Sequence, residues 1–233
     1  MAELVVNIPG GNAAEVVANG LADALREGLK TRGHASLVVT GGSTPGPVYD
    51  LLSHQRLIWG EVDVTLSDER WVPIADPASN ERMVRNRLLV GAAAHARFVS
   101  LKTDAETPEA AEPEVERRLS AMRTPFDAVL LGMGKDGHIA SLFPGMDRLA
   151  EGLDPNAAAL CIGVKPGVGR PPSEPRMSLT LAAVTRARRI IVFVTGPEKK
   201  ATFQRMMQGT DVLEMPIRAL MRSQTPIEVI VGE

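Results

Sequence analysis

Residues 126–145 read FDAVLLGMGKDGHIASLFPG, and this stretch joins a buried strand to a turn that can hold a ligand. The apolar run 128–131 has the length and composition of a strand buried on both faces of a parallel sheet. Three glycines follow at once and let the backbone turn sharply and approach a ligand closely: Gly132, Gly134 and Gly137. The stretch therefore predicts an α/β fold with a site at the carboxyl end of this strand.

Two titratable side chains, Asp136 and His138, lie in this turn. Ligands of open α/β sheets bind at the carboxyl ends of the strands, so the turn delivers both side chains to the edge where chemistry takes place. A histidine can act as a base near neutral pH, and a neighbouring carboxylate can orient it or handle a proton of its own. We predict that His138 and Asp136 are catalytic.

Two other interpretations of this turn stay open at this point. The glycines match the spacing GxGxxG of dinucleotide sites, but Pro144 and Gly145 interrupt the helix that such a site needs, and the next apolar run, 157–164, ends in Lys165 and not in an acid. The other alternative is a tight strand-to-helix turn whose histidine only caps or packs.

Composition describes an ordinary globular protein. The chain has 233 residues, 44% hydrophobic content, 23% charged residues and a formal net charge of −2, so we expect one domain spanning residues 1–233 and no nucleic-acid or membrane partner. The start, MAELVVNIPGG, lacks the pattern of a secretory leader, and the single Cys161 fits a reducing compartment, which predicts a cytoplasmic protein. The four histidines are scattered without metal-ligand spacing, so we expect no metal.

A second glycine turn, GGSTP at residues 41–45, follows the predicted strand 37–40. A strand, a glycine turn and a helix start with two hydroxyls direct backbone N–H groups at an anion, so we predict that Gly42, Ser43 and Thr44 bind phosphate. The turn is not a nucleotide-binding P-loop, because Pro47 and Val48 stand where that motif has its lysine and hydroxyl residue. A plain turn with a Ser or Thr helix cap is the alternative.

Other segments complete the predicted order of elements. We predict strands at 4–8, 59–66, 98–101, 189–195 and 227–231, a helix from residue 176 to about 187, and an irregular Pro- and Gly-rich loop at 165–175. The SDERWVP segment at 67–73 is either a solvated charge run or a fixed loop at a strand end.

Apolar strands that alternate with helices predict a doubly wound, largely parallel sheet with helices on both faces. The predicted strands that end near residues 41, 67, 132 and 196 would then meet at one edge. Their side chains would form one crevice, with Arg176 within reach from its loop: Ser43, Thr44, Arg70, Asp136, His138 and Lys199.

Six motifs in order along nearly the whole chain resemble the 6-phosphogluconolactonases of the pentose phosphate pathway: GGSTP from residue 41, SDERWVP from 67, SNERM from 79, GMGKDGHIASLFPG from 132, RMSLT from 176 and TGPEKK from 195. The resemblance implies the Rossmann-like fold shared with the glucosamine-6-phosphate deaminase superfamily. It also implies hydrolysis of 6-phospho-D-glucono-1,5-lactone without a metal or an organic cofactor.

The resemblance also implies roles for single residues. His138 would activate water and Asp136 would assist it. The turn of Gly42, Ser43 and Thr44 would hold the phosphate together with Arg176 and Lys199, and Arg70 would line the same pocket. Ile139 departs from the threonine that lactonases often have there, and the deaminases also use isoleucine.

A glucosamine-6-phosphate deaminase and a non-catalytic sugar-phosphate sensor are therefore kept as alternatives. Oligomeric state is not readable from the sequence, and we expect a monomer or a weak homodimer from the 3% aromatic content. Sequence alone also leaves open whether Lys199 or Lys200 contacts the phosphate.

Overall fold

A computed structural model of the protein describes residues 4–7, 12–167, 169 and 171–232. The strands are β1 Leu4–Asn7, β2 Ala35–Val39, β3 Val62–Leu66, β4 Asp68–Arg70, β5 Arg97–Val99, β6 Ala128–Leu131, β7 Cys161–Val164, β8 Arg176–Leu179, β9 Ile190–Thr195 and β10 Ile227–Gly232. The helices are α1 Ala13–Arg32, α2 Gly46–Ser53, α3 Asn80–Arg87, α4 Pro108–Ser120, α5 Leu149–Gly152, α6 Leu181–Thr185, α7 Pro197–Met207 and α8 Ile217–Met221, with 3₁₀ turns at Trp59–Glu61 and Gly91–His95.

Within the described residues, seven strands form one parallel sheet in the order β1-β10-β9-β6-β2-β3-β5. Its central strands are apolar on both faces, as β2, β6 and β9 show, because helices flank the sheet. The helix α1 packs against β2, β6 and β10, and α7 packs against β9. This architecture confirms the predicted doubly wound α/β fold.

The chain order of the strands reverses between β2 and β6. From β2 the sheet continues through β3 to β5 on one side, and from β6 it continues through β9 to β10 on the other. Such a switch point opens a crevice outside the carboxyl ends of the two strands, because their connections leave in opposite directions. The two glycine turns that follow β2 and β6 therefore face each other.

A smaller antiparallel sheet, β4-β8-β7, lies outside this parallel sheet and corrects the prediction of a helix from residue 176 to about 187. Residues 176–179 form the strand β8 instead of opening a helix, and the helix α6 begins only after Thr180, whose hydroxyl accepts a hydrogen bond from the Ala183 N–H at 3.1 Å. The strand β8 pairs with β4 on one side and with β7 on the other, so tertiary pairing decides the structure here.

The SDERWVP segment is not a solvated charge run. Its residues 68–70 form β4, and Asp68 and Glu69 are buried. The predicted strand at 59–66 begins with the 3₁₀ turn Trp59–Glu61, so its extended part is β3 alone.

Three predicted positions lie outside the described residues: Ile8 of the first strand, and Val168 and Arg170 of the 165–175 loop. In the part of the chain that the structure covers, none of the helices has both the length and the apolar character that crossing a membrane requires.

Candidate active site

A buried tyrosine, Tyr49, stabilises the turn after β2. The Tyr49 hydroxyl accepts a hydrogen bond from the Thr40 N–H at 3.0 Å and donates one to the Thr40 carbonyl at 2.5 Å. Burial raises the pKa of Tyr49 far above its ordinary range, so the hydroxyl stays protonated and able to donate. Thr40 follows the end of β2 and pairs with no strand of the described chain. Tyr49 therefore supplies the hydrogen bonds that strand pairing would otherwise give to the Thr40 backbone.

Two positions in this turn require glycine for steric or conformational reasons. A Cβ at Gly41 would lie 1.9 Å from Oδ1 of Asn80, and Gly42 has a φ of 91°. The residue that caps α2 is Pro45, without a side-chain hydrogen bond, so the alternative of a Ser or Thr cap is wrong. Within the described residues, the hydroxyls of Ser43 and Thr44 form no hydrogen bond to another side chain or to the backbone. Both hydroxyls can therefore bind a ligand.

The turn after β6 brings the predicted catalytic pair together. Nδ1 of His138 lies 2.6 Å from Oδ1 of Asp136, and the same oxygen accepts the His138 backbone N–H at 3.2 Å. Gly134 makes room for this pair, since a Cβ there would lie 2.1 Å from Nδ1 of His138. Gly137 has a φ of 82° and turns the chain between the two residues.

The charge states of this pair follow from its contacts. Burial disfavours the ionised form of Asp136, but the hydrogen bond and the charge of His138 outweigh it and hold the pKa of Asp136 below its ordinary value. An ionised carboxylate can only accept, so a neutral His138 carries its proton on Nδ1 and exposes the lone pair of Nε2. A histidine in this tautomer can act as a base toward the crevice.

Phe143 packs between His138 and an arginine. Its ring centroid lies 4.1 Å from that of His138, and Cζ of Arg176 lies 5.3 Å from the same ring, within the range of a cation–π contact. The ring therefore fixes the position of the imidazole relative to the positive charge of Arg176.

The small sheet places Arg70 directly opposite Arg176 in the pairing of β4 and β8. The Nε atoms of both arginines are buried and have no hydrogen-bond partner within the described chain. Both arginines line the larger cavity, so their guanidinium groups add positive charge to its wall. Burial lowers the pKa of Arg176, and the nearby Asp68 opposes that shift.

Lys199 in the first turn of α7 completes the positive wall. Burial lowers the pKa of Lys199, and the charge of Lys135 lowers it further. Lys199 lines the crevice, whereas Lys200 is not among the residues that line its two cavities.

These side chains surround two adjoining cavities of about 270 and 180 Å³. His138, Arg70 and Arg176 line the larger cavity, and Ser43 and Thr44 line the smaller one. Five residues line both cavities: Thr40, Gly41, Gly42, Gly132 and Lys199. The predicted site residues thus meet at the switch point of the sheet, with Asp136 behind His138.

Asp68 is a charged residue of the cavity wall that sequence reasoning missed. Asp68 is 5% exposed, accepts hydrogen bonds from the hydroxyls of Ser67 at 2.9 Å and Ser141 at 2.7 Å, and lies 3.8 Å from Nη1 of Arg176. Its place at the end of an apolar strand could have indicated this, because that is where the predicted site residues stand.

Its neighbour Glu69 has a structural task instead. The Glu69 carboxylate accepts the backbone N–H groups of Asn80 at 2.8 Å and Glu81 at 2.7 Å at the start of α3. Burial raises the pKa of Glu69 in spite of these donors. Glu69 therefore anchors α3, and with it the Asn80 side chain that packs against Gly41.

The fold and the crevice together define a doubly wound α/β protein with a cationic site at its topological switch point. The family described as glucosamine-6-phosphate isomerases/6-phosphogluconolactonase matches residues 11–229, and the chain belongs to this family.

Curated relatives agree with this assignment. The chain is 41% identical over 218 residues to the 6-phosphogluconolactonase of Rhizobium meliloti, which covers 93% of this chain and 92% of the relative. It is 41% identical over 208 residues to that of Caulobacter vibrioides, covering 89% of this chain and 87% of the relative.

Solved structures agree as well. A crystal structure of a 6-phosphogluconolactonase from Shewanella baltica superposes with a TM-score of 0.93 at 37% identity and covers 100% of both chains. A monomeric glucosamine-6-phosphate deaminase reaches a TM-score of 0.79 at 18% identity over 99% of this chain and 98% of its own, which shows a shared fold.

Proposed function

We propose that this protein hydrolyses 6-phospho-D-glucono-1,5-lactone to 6-phospho-D-gluconate, the lactone-opening step of the oxidative pentose phosphate pathway. One observation carries the proposal: the Asp136–His138 pair, with Nδ1 to Oδ1 at 2.6 Å, opens into the same cavity as Arg70, Arg176 and Lys199. Relatives that are 41% identical and named 6-phosphogluconolactonase support the same substrate.

The chemistry follows from the lone pair on Nε2 of His138. This nitrogen takes a proton from water while the water oxygen attacks the lactone carbonyl at C1. The tetrahedral intermediate then collapses, the bond from C1 to the ring oxygen breaks, and the ring oxygen receives the proton that His138 took from water, which returns His138 to its neutral form. Asp136 holds the imidazole in the required tautomer and stabilises its protonated form. Because a lactone is a reactive ester, we propose that a positioned base suffices without a metal or a covalent nucleophile.

The phosphate orients the substrate. We propose that Gly42, Ser43 and Thr44 bind it through backbone N–H groups and hydroxyls, and that Lys199 and Arg176 bind it through charge. Arg70 adds positive charge from the opposite strand. Because Lys199 and Gly42 line both cavities, a phosphate at their junction leaves the larger cavity to the sugar ring and places C1 near His138.

The same family description also names glucosamine-6-phosphate isomerases, so the second candidate is release of ammonia from glucosamine 6-phosphate. It would use the same phosphate site, with Asp136 as the base toward carbon. The two candidates differ in product, because only the deaminase forms ammonia.

The test is the rate of 6-phosphogluconate formation from freshly generated lactone, coupled to 6-phosphogluconate dehydrogenase. Wild type, His138→Ala and the exposed control His95→Ala are compared with a buffer blank, since the lactone opens by itself. We expect acceleration by wild type and by His95→Ala, unchanged after chelation of metals, and its loss in His138→Ala. Equal rates for wild type and the blank would refute the function and make the glucosamine 6-phosphate assay decisive.

We further propose that residues 1–233 act as one cytoplasmic domain, as a monomer or weak homodimer, without an organic cofactor or nucleic acid. Light scattering of the purified protein across a concentration series measures the oligomeric state directly.

A further inference from the structure

Lys135 lines the larger cavity, and the mechanism above does not use it. It stands between Gly134 and Asp136, and its ammonium group pairs with the carboxylate of Glu198 in the first turn of α7. Both side chains are well exposed, Lys135 at 70% and Glu198 at 68%. Exposed ion pairs contribute little to stability, so this pair separates easily when a better partner arrives.

The backbone of Lys135 is fixed while its side chain is not. Its carbonyl accepts hydrogen bonds from the Thr202 hydroxyl at 3.0 Å and from Nη2 of Arg205 at 3.1 Å, both on α7. The long, flexible side chain of a lysine can rotate while its backbone stays fixed. This rotation can move the ammonium group from the cavity mouth into the cavity.

The positive charges of Lys135 and Lys199 interact with each other. After burial, the charge of Lys135 is the second cause that lowers the pKa of Lys199. Two ammonium groups that repel each other across a cavity gain from an anion between them, and a phosphate dianion can neutralise both.

We propose that Lys135 is a further substrate-binding residue, whose ammonium group exchanges the Glu198 carboxylate for the phosphate of the substrate. The inference rests on the proposed function, since it takes the sugar phosphate as the ligand. In the free protein Glu198 competes for Lys135 and lowers the affinity, so this pair sets how tightly the crevice holds its ligand.

The test is a double-mutant cycle on binding. The dissociation constant of 6-phosphogluconate is measured by calorimetry at low ionic strength for wild type, Lys135→Met, Glu198→Gln and the double variant. We expect Lys135→Met to weaken binding at least about fourfold, which Coulomb's law gives for two unit charges ~5 Å apart in water. Glu198→Gln should tighten binding, and it should have no effect when Lys135 is already methionine.

Lys200→Met is the matched control, because it removes the same charge from the first half of α7 without touching the cavity. We expect it to leave the dissociation constant within twofold of wild type. Equal weakening by Lys135→Met and Lys200→Met would overturn the inference, since a general loss of positive charge would explain both. An additive cycle would overturn it too, because Glu198 would then act on the ligand without Lys135.

Lys135 and Glu198 are exposed, so we expect their variants to fold, and melting curves of all variants check this. Lys135→Gln repeats the charge removal with a polar side chain and should match Lys135→Met. Failure of wild type to bind 6-phosphogluconate would refute the proposed function and this inference together, whereas normal binding with an additive cycle would refute this inference alone.

Discussion

Oδ1 of Asp136 accepts from both the backbone N–H and the ring Nδ1 of His138, at 3.2 and 2.6 Å. One carboxylate oxygen thus fixes the backbone of the turn and the tautomer of the base at once. The side chain of Asp136 is 38% exposed and that of His138 is 25% exposed, so water can reach the base while its orientation is fixed.

Asp136→Asn should remove most of the activity. The new amide can donate to Nδ1 of His138, which would place the ring proton on Nε2 and leave no lone pair toward the crevice. We expect the turnover number to fall by ~10²–10⁴, as for loss of the base itself. The coupled lactone assay measures it, with the exposed Asp104→Asn as control. An Asp136→Asn variant with wild-type turnover would show that the carboxylate has no such role.

Gly134→Ala should inactivate the protein without unfolding it. Its Cβ would lie 2.1 Å from Nδ1 of His138 and 2.6 Å from Oδ1 of Asp136, so the pair must separate. We expect turnover close to that of His138→Ala with native circular dichroism. Gly60→Ala is the control, because a Cβ there meets no atom within 4 Å. Full activity in Gly134→Ala would mean that the contact between the pair is dispensable.

Binding of the ligand should weaken in alkali through Lys199. Only the protonated amine attracts an anion, and the pKa of Lys199 is lowered from 10.5, so affinity is full below the lowered pKa and declines as pH rises through it. We expect the dissociation constant of 6-phosphogluconate to rise at a lower pH than an exposed lysine would cause.

Lys199→Arg tests this assignment, because arginine keeps its charge throughout this range. Its dissociation constant should stay level where that of wild type rises, while Lys200→Arg should follow wild type. Calorimetry at several pH values distinguishes these outcomes. Parallel curves for wild type and Lys199→Arg would assign the titration to another group.

Tyr49→Phe should lower both stability and affinity. Loss of the hydroxyl leaves the buried N–H and carbonyl of Thr40 without their partner, and Thr40 lines both cavities. We expect the free energy of unfolding in urea to fall by about 1–3 kcal/mol, and KM for the lactone to rise.

Thr65→Val is the matched control for that variant. It also removes a buried hydroxyl, which donates to the Val99 carbonyl at 2.8 Å, but it lies within β3 away from the crevice. We expect it to lower stability without changing KM. A similar change of KM in both variants would show that general loosening, and not the position of Thr40, is the cause.

One part of the site that sequence reasoning predicted is local. Asp136 and His138 lie two residues apart on one glycine turn, so their contact needs no distant partner. The edge where the turns after β2 and β6 meet was also predicted, because apolar strands linked by helices must run parallel and end together.

The sequence by itself therefore determined the parallel sheet, the crevice at its carboxyl edge and the Asp136–His138 pair, since apolar runs and glycine spacing act over a few residues. Only the tertiary structure decided that residues 176–178 pair with β4, which sets Arg176 opposite Arg70, and that Asp68 lines the cavity. It alone also brought Glu198 to Lys135. These contacts join segments far apart in the chain, and their choice depends on which partner surfaces remain free after the core has packed.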